Sequence, residues 1–179
     1  RLGLLAVHPS IPVTSVKEYV AYARANPGVI NFSTSGNGSG DHITGAWLMS
    51  ATKTVGTIKF IHYKSSPNAY ADLLAGRVHI AAIPYSTDGP FANVKAGKLR
   101  NMGTTSAQRS HLAPDVPTLQ EQGLAGFDVS SFVGLIAPPK TPMALINKLH
   151  AEIVKVSRLP QLQQQLGEAN VIVASTPAE

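Results

Sequence analysis

The stretch Val29-Ile30-Asn31-Phe32-Ser33-Thr34-Ser35-Gly36-Asn37-Gly38-Ser39-Gly40-Asp41-His42-Ile43 sets the fold class of this chain. Val29, Ile30 and Phe32 read as a short strand, while Ile43, Ala46, Trp47 and the Leu48-Met49 pair recur at helical spacing. Between them lies a turn of small residues that delivers free backbone N–H groups at a helix start. Glycine permits positive φ and close approach of a ligand, and the helix dipole adds partial positive charge at the same place. Such a turn can hold a carboxylate or phosphate without a cation. Two uses of it stay open: an anion site, or a tight turn in which Ser39 simply caps the helix. A nucleotide is disfavoured. Gly36-x-Gly38-x-Gly40 lacks the spacing of the dinucleotide fingerprint, and no Gly-Lys-Ser/Thr follows it.

Outward from this turn, apolar periodicity punctuated by Pro and Gly gives an alternating order. Strands are predicted at 2–8, 29–33, 57–62, 78–83 and 99–104. Helices are predicted at 16–26 after Ser15, at 39–53, from Ser66-Pro67 to Ala75 with Gly76 as stop, and from Ser86 or Thr87 to Ala96. This order predicts an α/β lobe with a mainly parallel sheet, because parallel neighbours need helical crossovers. Beyond it the pattern changes. A loop-rich connector at 111–127 carries a short helix around Leu119, a buried strand follows at 129–137, then helices at 142–158 and 160–168 and a short strand at 171–173. So few strands cannot build a second core, and the apolar faces of this tail need a partner from elsewhere.

At 179 residues the chain suffices for one good core or two small lobes. Hydrophobic residues at 44% and charged residues at 14% describe a globular protein, and no run approaches the ~20 apolar residues of a membrane helix. No initiator Met and no charged-then-apolar leader opens the sequence, so it is expected to begin inside a longer one or after processing. Cysteine is absent, which excludes disulfides and thiolate chemistry. The net charge of +5 is scattered, the longest basic cluster being Lys95, Lys98 and Arg100. Without a basic patch interleaved with aromatics, nucleic-acid binding is not expected. A mild pull on small anions is.

In an open α/β sheet, ligands sit outside the carboxyl ends of the strands. Three such ends carry polar or turn chemistry: 33–42, His62-Tyr63-Lys64-Ser65-Ser66, and Pro84-Tyr85-Ser86-Thr87-Asp88. Together they offer hydroxyls, main-chain donors, a lysine and a histidine, a set suited to a small polar anion. Each has a plainer use. Lys64 is a solvated loop lysine or a clamp, His42 donates to a carboxylate or hydrogen-bonds the turn, Tyr63 stacks on ligand or packs between helices, and Asp88 serves a helix dipole. Catalytic patterns are missing. The histidines form no His-Glu-x-x-His pair, no cluster has metal-ligand spacing, and no Gly-x-Ser-x-Gly elbow occurs. Neither cofactor nor metal is expected, and binding without catalysis is the simpler function.

The ordered motifs resemble a known family. Ser35-Gly36-Asn37-Gly38 with His42, Tyr63-Lys64, Asp72-Leu73-Leu74-Ala75-Gly76, Lys95-Ala96-Gly97-Lys98-Leu99-Arg100, Thr105-Ser106-Ala107-Gln108-Arg109, Pro114-Asp115-Val116-Pro117-Thr118 and Gly134-Leu135-Ile136-Ala137-Pro138 are similar to the tripartite tricarboxylate transporter substrate-binding proteins, or Bug family. The resemblance implies a periplasmic, two-lobed solute-binding protein that captures a small organic mono-, di- or tricarboxylate for membrane permease subunits. It implies a periplasmic-binding-protein-like (type II) lobe at 9–98, hinge strands at 1–8 and 99–105, and at 106–179 the C-terminal portion of the first lobe, whose N-terminal part is lacking. Ligand-binding residues on this resemblance, together with the strand-end chemistry, are Ser35, Gly36, Asn37, Gly38, Ser39, His42, Tyr63, Lys64, Ser86 and Asp88. Two departures fall at the cleft: the family's Tyr-Lys-Gly is Tyr63-Lys64-Ser65 here, and its acidic or amide residue after the fourth strand gives way to Pro84-Tyr85-Ser86. The competing functions are an effector-sensing domain of a transcription regulator, which an upstream helix-turn-helix would mark, and an enzyme using the turn for phosphate.

Overall fold

A computed structural model describes residues 3–84, 90–110, 113–130 and 135–166. They divide between two compact units, 2–131 and 132–179 together with Arg1. The first unit is built on a five-stranded sheet of order β3-β2-β4-β1-β5. Its strands are β1 (Gly3–Val7), β2 (Ile30–Thr34), β3 (Ile58–His62), β4 (Ile80–Pro84) and β5 (Arg100–Thr104). Between them run α1 (Val16–Ala25), α2 (Gly40–Thr52), α3 (Ser66–Leu74) and α4 (Pro90–Lys95). β2 pairs in parallel with β3 and β4, whereas β1 runs antiparallel to both β4 and β5. Four strands therefore share one direction and the sheet is mixed through β1 alone.

The helices start and stop where local chemistry requires. Ser15 caps α1 by accepting from Glu18 N–H at 3.2 Å, and the Glu18 carboxylate takes the Thr14 N–H and hydroxyl at 2.7 and 2.6 Å. Those two bonds hold the Glu18 carboxyl below its usual range. Val16, Tyr19 and Ala23 form the buried stripe of α1. α2 ends at Lys53 in the left-handed region (φ 54), with the buried hydroxyls of Tyr19, Thr54 and Thr52 linked at 3.0 and 2.8 Å beneath it. Burial raises the Tyr19 phenol above its ordinary value.

Register decides what lies under α2. Phe32 stands opposite Phe60 and Thr34 opposite His62, so Phe32, Thr34, Phe60 and His62 share one face of the β2–β3 pair. α2 lies on that face through Gly45, where a Cβ would meet Phe60 Cε1 at 2.7 Å and Phe32 Cε1 at 3.0 Å. Leu48, Met49, Phe32 and Ile30 join Leu5, Val7, Ile80 and Met102 in the core. Because β3 flanks β2 on one side and β4 on the other, the chain leaves β2 toward β3 and returns across it. That reversal puts a topological switch at the carboxyl end of β2.

The connector departs from expectation. No helix forms around Leu119; instead Thr118 and Glu121 exchange a reciprocal pair of bonds, Glu121 N–H to the Thr118 hydroxyl at 3.0 Å and Thr118 N–H to the Glu121 carboxylate at 2.8 Å. One turn is then stopped by Gly123 at φ 100. The buried strand expected at 129–137 is also not found in its described residues. Val129 is tied to Thr105 by bonds of 2.8 and 2.7 Å without becoming strand, and Leu135 and Ile136 are 82% and 96% exposed. An apolar run of this length carries no period that separates a strand from an extended loop. The expected strand at 171–173 lies outside the described residues.

In the second unit, α5 (Met143–Ser157) follows Pro142 and α6 (Pro160–Leu166) begins on a proline, as N-terminal helix positions favour. Met143, Leu145, Leu149, Ile153 and Val156 of α5 are each about half exposed.

Candidate functional site

The loop at 35–39 and the first turn of α2 occupy the switch point. Asp41 organises them from within. Its carboxylate accepts from Ser35 N–H at 2.7 Å, the Ser35 hydroxyl at 3.1 Å, the Ser39 hydroxyl, and its neighbour His42 N–H at 3.0 Å. An anion near a helix N-terminus is favoured by the dipole, and here the chain supplies one itself. Ser39 occupies the N-cap position, yet its hydroxyl makes no capping bond to the helix; it lies against Gly36 O at 2.5 Å and against Asp41. Ser35 and Ser39, both predicted ligand contacts, thus have their side chains engaged inside the loop.

What the loop leaves free is main chain. Among the described residues, the N–H groups of Asn37, Gly40 and Asp41 have no hydrogen-bond partner. Gly38 N–H is donated to His42 Nδ1 at 3.0 Å, so His42 does bond the turn, on one of its two nitrogens. Gly36 and Gly38 hold φ of 143 and 78, and a Cβ on Gly38 or Gly40 would meet no protein atom within 4 Å. The loop therefore presents open main chain, with Gly36 and Gly38 in conformations that side chains resist.

The second predicted segment meets the first through backbone. Tyr63 N–H is donated to Thr34 O at 2.9 Å, and a Cβ on Gly36 would stand 3.9 Å from Tyr63 O. The Tyr63 hydroxyl goes elsewhere, donating to Asp72 on α3 at 2.7 Å, while Asp72 also pairs with Arg77 at 2.6 Å. Desolvation, followed by the bond to Asp72, pushes the Tyr63 phenol up to about 12; Tyr63 and Arg77 hold the Asp72 carboxyl below its usual range. Lys64 is exposed. Ser86 and Asp88 lie outside the described residues.

Two residues passed over in the choice of site residues belong to this edge: Asp41 and His62. His62 Nδ1 lies 2.6 Å from the Thr34 hydroxyl, and the His62 ring sits 5.0 Å, centroid to centroid, from that of His42 at near right angles. Phe60 backs both, its ring 4.6 Å from His42 and 6.0 Å from His62. The signal for His62 was its place at the carboxyl end of β3, two residues after Phe60 and so on the same face. Among the described residues no group of three His, Asp or Glu side chains could hold a metal, and no helix is long and apolar enough to cross a membrane.

Fold and loop together define an α/β lobe of the periplasmic-binding-protein kind, with main-chain donors gathered at a sheet's switch point. Residues 2–178 match the model of the tripartite tricarboxylate transporter family receptor, and the chain belongs to that family. It is 32% identical over 184 residues to the UPF0065 protein in the tcbD-tcbE intergenic region of Pseudomonas sp. (strain P51), covering 98% of this chain and 54% of that one. Among solved structures it is similar to R. palustris Rpa4515 with adipate, at 29% identity and a TM-score of 0.79, over 94% of this chain and 55% of the other. It is similar too to the periplasmic binding protein BugD, at 27% identity and a TM-score of 0.79, over 92% of this chain and 54% of that one. The chain spans about half the length of the curated relatives it matches.

Proposed function

We propose that this chain serves in a periplasmic solute-binding protein that captures a small organic carboxylate, without transforming it, and presents it to permease subunits of a tripartite tricarboxylate-type transporter. The observation that carries this function is membership of the receptor family over residues 2–178. The loop supports it independently, since three unpartnered main-chain N–H groups at a helix start suit an anionic oxygen. A relative at 29% identity was solved with adipate, a dicarboxylate of the class proposed.

In this proposal the carboxylate meets Asn37, Gly40 and Asp41 N–H, with Gly36 and Gly38 allowing close approach, Ser35 and Ser39 acting through Asp41, and Lys64 steering anions toward the edge. Residues 9–98 form one lobe, the strands at 1–8 and 99–105 form the hinge, and 106–179 belong to the other lobe. β1 and β5 are antiparallel neighbours, which is compatible with paired crossing strands. The test is to incubate the full encoded polypeptide with adipate, malate and citrate and to follow both binding and ligand integrity by NMR. Reversible binding of an unchanged acid is expected. Turnover that disappears on His42→Ala would establish an enzyme instead.

A further inference from the structure

Resting on that carboxylate function, we propose that His62 completes, with His42, a two-imidazole subsite in which the Nε2–H of each ring donates to a carboxylate oxygen of the ligand. Three structural facts lead there. The β2–β3 register sets His62 beside Thr34 at the carboxyl edge, and the first turn of α2 lays His42 over it, with ring centroids 5.0 Å apart. Each ring is held from behind through Nδ1. Neither Nε2 has a partner among the described residues.

The bond at Nδ1 fixes where the proton of His42 sits. His42 Nδ1 accepts the Gly38 N–H at 3.0 Å, so its lone pair is there and its proton is on Nε2. For His62 the donor turns on which acceptor takes the single Thr34 proton. Two acceptors lie within its reach, His62 Nδ1 at 2.6 Å and Gly36 O at 3.4 Å, and Gly36 O also accepts the Ser39 N–H at 3.3 Å. In the proposed subsite the proton goes to the nearer acceptor, so that the Thr34 oxygen accepts from Gly36 N–H at 3.4 Å and donates to His62 Nδ1. This tautomer assignment leaves His62, like His42, with its proton on Nε2.

Two imidazole N–H donors locked in tautomer by main chain and hydroxyl, and braced by Phe60, lose little freedom on binding. They are also needed. Asp41 already consumes four donors of the loop, so an incoming carboxylate finds only main-chain N–H groups there, and the imidazoles add the side-chain donors that Ser35 and Ser39 do not.

The test uses the full encoded polypeptide with 15N-labelled histidine, at about pH 8, above the ordinary histidine value. Long-range 1H–15N spectra should show both rings protonated at Nε2, and titration with adipate, malate and citrate should move the Nε2 signals of both for whichever acid binds. His62→Phe should weaken that acid about ten- to hundredfold, the value of one hydrogen bond to a charged group, and His62→Gln, which keeps an N–H donor, should recover part of it. A His62 ring protonated at Nδ1, or a His62 Nε2 signal that stays still while the amides of Asn37 and Gly40 shift, overturns the subsite and leaves the carboxylate function standing. If none of the three acids moves any loop amide or ring signal, the carboxylate function falls and the subsite with it.

Discussion

Gly38, Gly40 and Gly45 lie within eight positions, and a methyl group on each has a different consequence. Gly38 holds φ 78, so Gly38→Ala should cost about 1–2 kcal/mol of stability through backbone strain alone. Gly40 opens α2 with no neighbour before it, so Gly40→Ala should be neutral or stabilising by up to about 1 kcal/mol. Gly45→Ala drives a methyl against Phe32 and Phe60 and should cost about 1–3 kcal/mol. Thermal melts of the three variants check this order; a Gly45→Ala protein that melts like wild type would mean that α2 does not lie on the two phenyl rings. Tyr63 gives a functional prediction. Its hydroxyl is committed to Asp72, so Tyr63→Phe should leave carboxylate affinity unchanged within about twofold, as calorimetry would show. The Gly-rich turn was legible from residue types because positive φ is a local demand. The capture of Ser35 and Ser39 by Asp41 was not, since it depends on where three polar side chains point once the turn has closed.

At the scale of elements, helix ends were the most legible feature. Ser15 and Ser39 stand at N-caps, Ser66-Pro67 opens α3 and Gly76 follows its end at φ 72, all signals carried by one or two residues. The connector was less legible, because Thr118 and Glu121 announce a helix start that Gly123 ends after a single turn. A histidine clamp within the sheet gives a pH prediction. The His79 main-chain N–H is donated to Asn31 O at 2.9 Å and its ring Nδ1 accepts Asn31 N–H at 3.0 Å, tying the segment before β4 to β2. Burial first, and His8 second, lower its pKa from 6.5. Between that lowered value and 6.5 the unfolded chain binds the proton more readily than the folded one, so stability rises with pH. The contribution is complete above about 6.5 and is lost as pH falls through the folded value. Urea denaturation at neutral and mildly acidic pH should show the loss, and His79→Gln should flatten it. An unchanged slope in His79→Gln would assign the pH dependence to other groups. Glu18, Asp72 and Glu121, whose carboxyls are held low by hydrogen bonds, act in a separate, more acidic window.

For the molecule as a whole, the alternation of strand and helix made the α/β class legible, but the order β3-β2-β4-β1-β5 arises from pairings across long stretches of chain that no local pattern encodes. The antiparallel course of β1 is one such fact: Leu4, Leu5, Ala6 and Val7 are fully buried between β4 and β5, and a continuous apolar run says nothing of strand direction. The switch point that this order creates puts Asn37, Gly40 and Asp41 N–H at one edge, beside His42 and His62. If the strands at 1–8 and 99–105 are the hinge of a two-lobed protein, small-angle scattering of the full encoded polypeptide should show contraction when a carboxylate binds, and an unchanged profile at saturation would remove the hinge. The most direct measurement concerns the loop itself. Calorimetric titration of adipate, malate and citrate into the full encoded polypeptide should reveal binding of at least one acid. The same titration into Gly40→Val, shown by melting to be folded, should reveal at least about tenfold weaker binding, because the new side chain stands where the ligand meets main chain. A folded Gly40→Val protein that binds the acid as tightly as wild type would contradict a carboxylate held at the loop.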